Sequence, residues 1–425
     1  MKYLKRIIDD IIEEKLQTTG GVVIKGPKWC GKTTTSKVHA KSILELQNDE
    51  EIEKNKMLAG SDMSLLLKGD KPRLIDEWQE IPRIWNSIKS DIDKENKTGL
   101  YILTGSATPK DDTNLHSGVG RFSFVEMKTM SLFESGESNG SISLKDILDN
   151  KVKVSGQTSN ITYQELAYIT CRGGWPSSLN KDKKIALNIV KEYLNAICES
   201  DISRIDGVAR NPELARNILK AYARHISTIS SNDIIYDDIK YNFGDVSRQT
   251  IQEYIKIFKR LYVIDEIDAW NPNLRSKTGI RTSSKKSFID PSIAIAALQC
   301  SPEELALDPK TFGFVFENLV NRDLSVYVNK IGGYLRHYRD RYGLECDHVI
   351  HFHNGKYGLI QTKLGTYAIE QGIDKLRELR DLIKENNKVD NRVKEPSFLM
   401  VITGGDIAFT TTDGILVVPI SCLKD

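Results

Sequence analysis

Gly26, Gly31, Lys32 and Thr33, in the stretch KGPKWCGKTTTS (residues 25–36), stand at the spacing G-x-x-x-x-G-K-[ST]. The apolar run Val22, Val23, Ile24 precedes them and a helix-compatible run follows. Glycines at these positions let backbone N–H groups approach phosphates, and the dipole of a following helix favours negative charge. A lysine there reaches the outer phosphates, and a threonine hydroxyl can ligate Mg²⁺. Gly26, Pro27, Lys28, Trp29, Cys30, Gly31, Lys32, Thr33 and Thr34 are therefore expected to hold a nucleoside triphosphate with Mg²⁺. Pro27 and Trp29 shape the loop, and Cys30 serves as a small residue.

Such a cradle needs a carboxylate to hold Mg²⁺ through water, ideally at the end of a buried strand next to the first. Asp76, after Leu74 and Ile75, is the expected metal ligand beside Thr33, and Glu77 is placed to orient or deprotonate the attacking water. A third strand-like run, LYILTGSATP, ends in Thr104, Gly105 and Ser106. A hydroxyl there would sense the γ-phosphate; a plain Thr/Ser turn is the alternative reading.

These residues need a scaffold, and 425 residues allow two to four domains. Apolar runs at 21–25, 73–75 and 100–103, separated by helical-length polar segments, predict a parallel α/β sheet up to about residue 135. Ser/Gly-rich stretches near 131–147 and 153–162 mark a boundary. Residues 160–265 read as amphipathic helices, and a basic polar loop spans 273–287. From Thr311 a helix, strands at 334–339, 345–352 and 357–363, and a charged helix follow. The expected divisions are 1–135 (ATPase core), 136–210 (loop and helical lid), 211–304 (winged-helix-like region) and 305–425 (C-terminal α/β domain).

Sixty Lys plus Arg against 58 Asp plus Glu give no global argument for a polyanionic partner, so any nucleic-acid surface must be local. The six cysteines are scattered without a CxxC pair, which disfavours a structural zinc site and fits a reducing compartment. The N-terminal MKYLKRIIDDIIEEKL interleaves apolar residues with acids, unlike a signal peptide or a membrane span. A cytoplasmic protein with no membrane partner is expected.

GPKWCGKT, LIDEWQEIP, YILTGSAT and SGVGRFSFVEMKTMSLFE, with GGWP (173–176) and FIDPSIAIA (288–296), resemble over nearly the whole chain a prokaryotic group of AAA-type P-loop ATP-binding proteins. Members carry a C-terminal restriction-endonuclease-like domain. The resemblance implies that Arg121, after Gly120, acts as an arginine finger or sensor, in cis or in trans through self-association. An ordinary surface arginine is the alternative.

Residues 211–265 suggest a helix-turn-helix with a turn at Gly244 and a second helix capped by Ser247. Ile251, Ile255 and Phe258 form its buried stripe. Arg248, Gln249, Gln252 and Lys256 fall on other faces and could meet DNA. A helical module packed against the ATPase or another subunit fits equally. Arg275, Lys277, Arg281, Lys285 and Lys286 could contact phosphates or form a flexible polar loop.

The last third looks like the PD-(D/E)xK nuclease fold. By motif match its metal-binding positions are Glu317, Asp347 and Gln361, with Lys363 stabilising developing charge. Glu317 falls on its helix's apolar side, where an unpartnered carboxylate is costly. Gln361 stands where a carboxylate is more usual and is a weaker ligand for a hard cation. A two-residue Asn354-Gly355 turn would put Asp347 on the wrong face. A three-residue loop with Gly355 left-handed, or a bulge of equal effect, brings Asp347 opposite Gln361. Asp347 and Lys363 on opposite faces would exclude the centre. The expected function is an ATPase coupling nucleotide state to this nuclease-like, DNA-directed domain. The alternative is a nucleotide switch or scaffold whose nuclease-like domain is non-catalytic and binds DNA or protein.

Overall fold

A five-stranded parallel sheet is formed by β1 (Gly21–Lys25), β2 (Ser42–Glu45), β3 (Arg73–Asp76), β4 (Tyr101–Gly105) and β5 (Phe122–Glu126), with the apolar runs of β1, β3 and β4 as its inner strands. The computed structural model describes residues 3–48, 51–105, 118–244, 246–271, 283–340, 342–389 and 394–425. Strand order is β2-β3-β4-β1-β5. The carboxylate strand β3 is thus not the neighbour of β1 that the sequence suggested. β4 lies between them, pairing Gly21↔Tyr101 through Lys25↔Gly105 on one side and Arg73↔Tyr101 through Ile75↔Leu103 on the other. Every residue of β4 is buried, which suits a strand flanked on both edges and both faces.

Alternation along the strands builds two cores. Val23, Ile75 and Leu103 face Trp78, Trp85 and Ile88, the last two on α3 (Ile84–Glu95). Val22, Ile24, Leu74 and Ile102 face Ile8 and Ile12 of α1 (Ile7–Thr18). The helix after the phosphate motif, α2 (Lys32–His39), starts at Gly31 with φ 102°.

The chain forms two compact units, the first comprising Met1–Thr129, Asp201–Ala209 and Arg260–Tyr262, the second the remainder. In the second unit the longer helices are α4 (Tyr163–Arg172), α5 (Lys183–Ala196), α6 (Pro212–Arg224), α7 (Asn232–Phe243), α8 (Arg248–Arg260, its last residue counted with the first unit), α9 (Pro291–Leu298), α10 (Pro309–Lys330) and α11 (Ile369–Val389). A short strand β6 (Ile142–Ser143) pairs with the C-terminal β13 (Leu423–Lys424). The main sheet runs β11-β12-β10-β9-β8-β7, from β7 (Gly333–Arg339), β8 (Glu345–Phe352), β9 (Tyr357–Lys363), β10 (Phe398–Thr403), β11 (Phe409–Thr410) and β12 (Leu416–Pro419). Val349, Leu359, Val401 and Val417 form a core with Ile373, Leu376 and Leu379 of α11.

Candidate functional site

The loop from Gly26 to Gly31 follows β1 and ends on the first turn of α2. Gly26 has φ 152°, and a Cβ there would lie 2.1 Å from the Met127 carbonyl oxygen, so only glycine fits. Lys32 is buried, and its Nζ donates to the carbonyls of Gly26 (3.0 Å) and Pro27 (2.7 Å). Its ammonium is held over the inside of the loop by neutral acceptors that a phosphate oxygen outcompetes.

β3 and β4 deliver the rest. Thr33 Oγ1 donates to Asp76 Oδ1 at 2.8 Å, and Thr104 Oγ1 donates to the same oxygen at 2.5 Å. The Glu77 backbone N–H donates to Thr104 Oγ1 at 3.1 Å. The hydroxyl at the end of the interposed strand therefore ties the Asp76 carboxylate to the backbone of Glu77. Glu77 itself has φ 53°, a left-handed conformation that costs a non-glycine residue about 1 kcal/mol. Its carboxylate accepts from Gln79 Nε2. The sequence-predicted Lys32, Thr33, Asp76, Glu77 and Thr104 thus converge; Ser106 lies outside the described residues.

Two further side chains of the expected site have partners of their own. Lys28 is committed to Asp201, Nζ to Oδ1 2.7 Å, and the Asp201 side chain is only 9% exposed. Arg121 sits at the start of β5, level with Gly21 at the opposite end of β1 from the loop. Its guanidinium pairs with Asp93 of α3 at 2.8 Å. A five-residue strand spans roughly 16 Å, so Arg121 is not part of the phosphate cluster of its own chain. Two residues had no motif to mark them. Asp201 is one; the other is Arg6, whose guanidinium donates to the carbonyls of Cys30 and Lys128 at 2.9 Å each and braces the loop from α1. Thr34 is exposed, and Cys30 is buried as a small filler.

A second polar centre lies in the C-terminal sheet. The 353–355 turn is the three-residue form, with Phe352 N–H donating to Lys356 O and Gly355 at φ 76°. The register from His348↔Ile360 to His351↔Tyr357 projects Asp347 opposite Gln361, as a shared site requires. The ladder stops there because Asp347 and His348 together oppose His337 in a bulge against β7. The bulge directs Asp347 toward α10, where Lys285 Nζ lies 2.6 Å from Glu317 Oε1 and 3.6 Å from Asp347 Oδ1. The same ammonium donates to the Asp347 carbonyl at 3.3 Å, while Asp347 Oδ2 accepts from the Thr362 N–H.

Gln361 and Lys363 pair with Val401 and Thr403 and take the α11 face; a Cβ on Gly372 would lie 3.1 Å from Lys363 Cγ. Gln361 Nε2 donates to the Glu345 carbonyl, and its Oε1 is buried without a hydrogen-bond partner among the described residues. The structure therefore joins Glu317 and Asp347 through Lys285, while Gln361 is bonded to the Glu345 carbonyl and Lys363 acts on Asp347 through its charge alone. The missed member is Lys285, grouped by sequence with a basic stretch that could contact phosphates or form a flexible polar loop. Among the described residues no three His, Cys, Asp or Glu side chains are placed to hold a metal ion.

Electrostatics follow from this packing. Burial pushes Glu317 up to about 7 despite Lys285 beside it. Burial also acts to raise Asp347, but Lys285, the Thr362 N–H and Lys363 hold it below the usual carboxylate range. Burial and the same ammonium lower His337 to about 4 and His348 to about 3, so both imidazoles are neutral.

The middle region holds α6, α7 and α8. α8 begins after Ser247, whose hydroxyl accepts from Thr250 N–H at 3.0 Å, and Gly244 turns the chain at φ 98°. Ile251, Ile255 and Phe258 are buried, with Tyr254 and Ile257; Arg248, Gln249, Gln252 and Lys256 are exposed. Antiparallel bridges Ile264↔Phe288 and Ile267↔Lys285 follow the helix. Arg275, Lys277 and Arg281 lie outside the described residues.

Residues 19–135 match the family described as AAA domain. Residues 163–304 and 312–423 match two domains of unknown function, DUF8612 and DUF4143. The chain is similar to the uncharacterized proteins Mb2031c of Mycobacterium bovis and Rv2008c of Mycobacterium tuberculosis, each 22% identical over 409 residues, covering 94% of this chain and 79% of the relative. Among solved structures, the Walker-type ATPase PABY2304 of Pyrococcus abyssi aligns with 69% of this chain and 96% of its own, at 14% identity and TM-score 0.43. The AAA match and the loop, strand and carboxylate geometry define an ATPase core of AAA type. No described helix is long and apolar enough to cross a membrane.

Proposed function

We propose that the chain binds and hydrolyses ATP with Mg²⁺ and passes its nucleotide state to a DNA-directed second unit. The observation that carries the hydrolytic part is the shared Asp76 carboxylate, touched at once by the Thr33 and Thr104 hydroxyls. Thr33 and Asp76 would hold Mg²⁺, which neutralises phosphate charge when bound. Lys32 leaves the Gly26 and Pro27 carbonyls for the outer phosphates, exchanging neutral acceptors for charged ones. Glu77 orients the attacking water and accepts its proton. Thr104, bonded to both Asp76 and the Glu77 backbone, positions the two carboxylates relative to each other. Arg121, distant from this cluster, serves as a finger only toward a neighbouring copy.

Exposed Arg248, Gln249, Gln252 and Lys256 on α8, in a three-helix arrangement followed by two antiparallel bridges, support a winged-helix-like DNA contact. The test measures phosphate release with and without duplex DNA, and DNA binding with ATP, ADP or neither. Hydrolysis abolished by Glu77→Gln, together with nucleotide-dependent DNA affinity that Arg248→Ala/Lys256→Ala weakens, is expected. DNA affinity indifferent to both nucleotide and α8 would reject the coupling.

A further inference from the structure

A nuclease-like fold implies a divalent cation between Glu317 and Asp347, and the residues present do not fit one. The Lys285 ammonium already lies between these carboxylates, bonded at 2.6 Å to one and 3.6 Å from the other, and its side chain is 8% exposed. Divalent cations need ligand oxygens at about 2.0 to 2.6 Å, which places them where the ammonium sits. The third expected ligand, Gln361, has its amide N–H bonded to the Glu345 carbonyl. Lys285 is also fixed in place by its backbone: its N–H donates to Ile267 O at 2.8 Å, and it accepts from Ile267 N–H at 3.0 Å. The neighbouring Phe288 N–H donates to Asn318 Oδ1 on α10 at 2.9 Å, and Asn318 returns a bond to the Phe288 carbonyl.

We infer that Lys285 is the resident cation of the Glu317–Asp347 pair, so this centre takes no divalent metal and works as a clamp between the 283–290 segment and the C-terminal sheet. An incoming metal would have to expel a covalently tethered ammonium from a buried, charge-compensated position. Expulsion would strand that charge without a partner in a low-dielectric interior. The inference does not rest on the DNA-directed reading, because it is tested without nucleotide or DNA.

The experiment titrates Mn²⁺ into the full chain, with Asp76→Asn present throughout so that the phosphate-loop site contributes nothing. Glu317→Gln and Asp347→Asn should leave Mn²⁺ uptake unchanged. Lys285→Met, which keeps the side-chain bulk and removes the charge, should gain one Mn²⁺ per chain at least tenfold tighter than any uptake by the Lys285 protein, and Glu317→Gln should abolish that gain. Mn²⁺ uptake that falls on Glu317→Gln with Lys285 in place would overturn the inference, as would a folded Lys285→Met chain that gains none. If Lys285→Met does not fold, the comparison of the Lys285 protein with its Glu317→Gln and Asp347→Asn variants decides alone.

Discussion

The two polar centres solve the problem of buried charge in opposite ways. Around Asp76 the partners are hydroxyls, and Lys32 rests on carbonyls, so each charge is held by neutral groups that an ionic ligand can replace. Around Glu317 and Asp347 the charge is matched by another charge of the same chain. Neutral acceptors surrender a cation to phosphate at little cost, whereas a desolvated ion pair resists any exchange. The contrast separates a site kept ready for a ligand from one that is already complete.

Substitutions should split along that line. Glu77→Gln should cut turnover by roughly 10² to 10⁴-fold while nucleotide binding and unfolding midpoint stay put; phosphate release and calorimetry read the two, and equal hydrolysis would remove Glu77 as the base. Asp347→Ala should do the reverse, lowering stability by about 1–3 kcal/mol in urea, because the Thr362 N–H loses its acceptor and Lys285 the second of its two carboxylates. An unchanged midpoint would show that the second centre is not a closed ion cluster. Lys32→Ala should weaken ATP binding by roughly 10 to 100-fold, with stability little altered, checked by titration calorimetry.

The smallest effect concerns acid. His337 and His348 sit at about 4 and about 3, below the ordinary 6.5, so the unfolded chain binds more protons across that window. Their contribution to stability is complete above pH 6.5 and is lost as pH falls toward those values. Glu317, at about 7 against an ordinary 4.5, acts with the opposite sign, its contribution lost as pH rises through 7. His348→Gln should therefore flatten the acid limb of stability against pH by up to about 1.4 kcal/mol per unit. A limb as steep as the parent's would show that His348 is not held neutral.

Much of this was legible in the sequence where partners lie close along the chain or obey a period. The 333–363 strands and the Ser247 cap are local, and hydrophobic spacing or cap chemistry reports them, whereas turn chemistry left two forms open at 353–355. The phosphate loop was legible because its function demands fixed spacing. Strand order was not, since β4 enters between β1 and β3 by burial and not by any feature of its neighbours in sequence. Lys285 shows the limit most clearly. Its carboxylates lie 32 and 62 residues away, so in one dimension it was one more member of a basic run. Gln361 failed for a related reason: the bulge at Asp347 and His348 is a property of two strands, and a single strand's alternation cannot announce it.

The pairing of Lys28 with Asp201 has a practical consequence for dissecting the molecule. Anyone excising the nucleotide-binding portion by ending an expression clone after residue 135 would discard the 201–209 stretch, in which Ile202 is wholly buried. Such a truncation leaves the Lys28 ammonium with its counter-ion deleted. A minimal piece should carry that downstream stretch grafted back through a flexible tether.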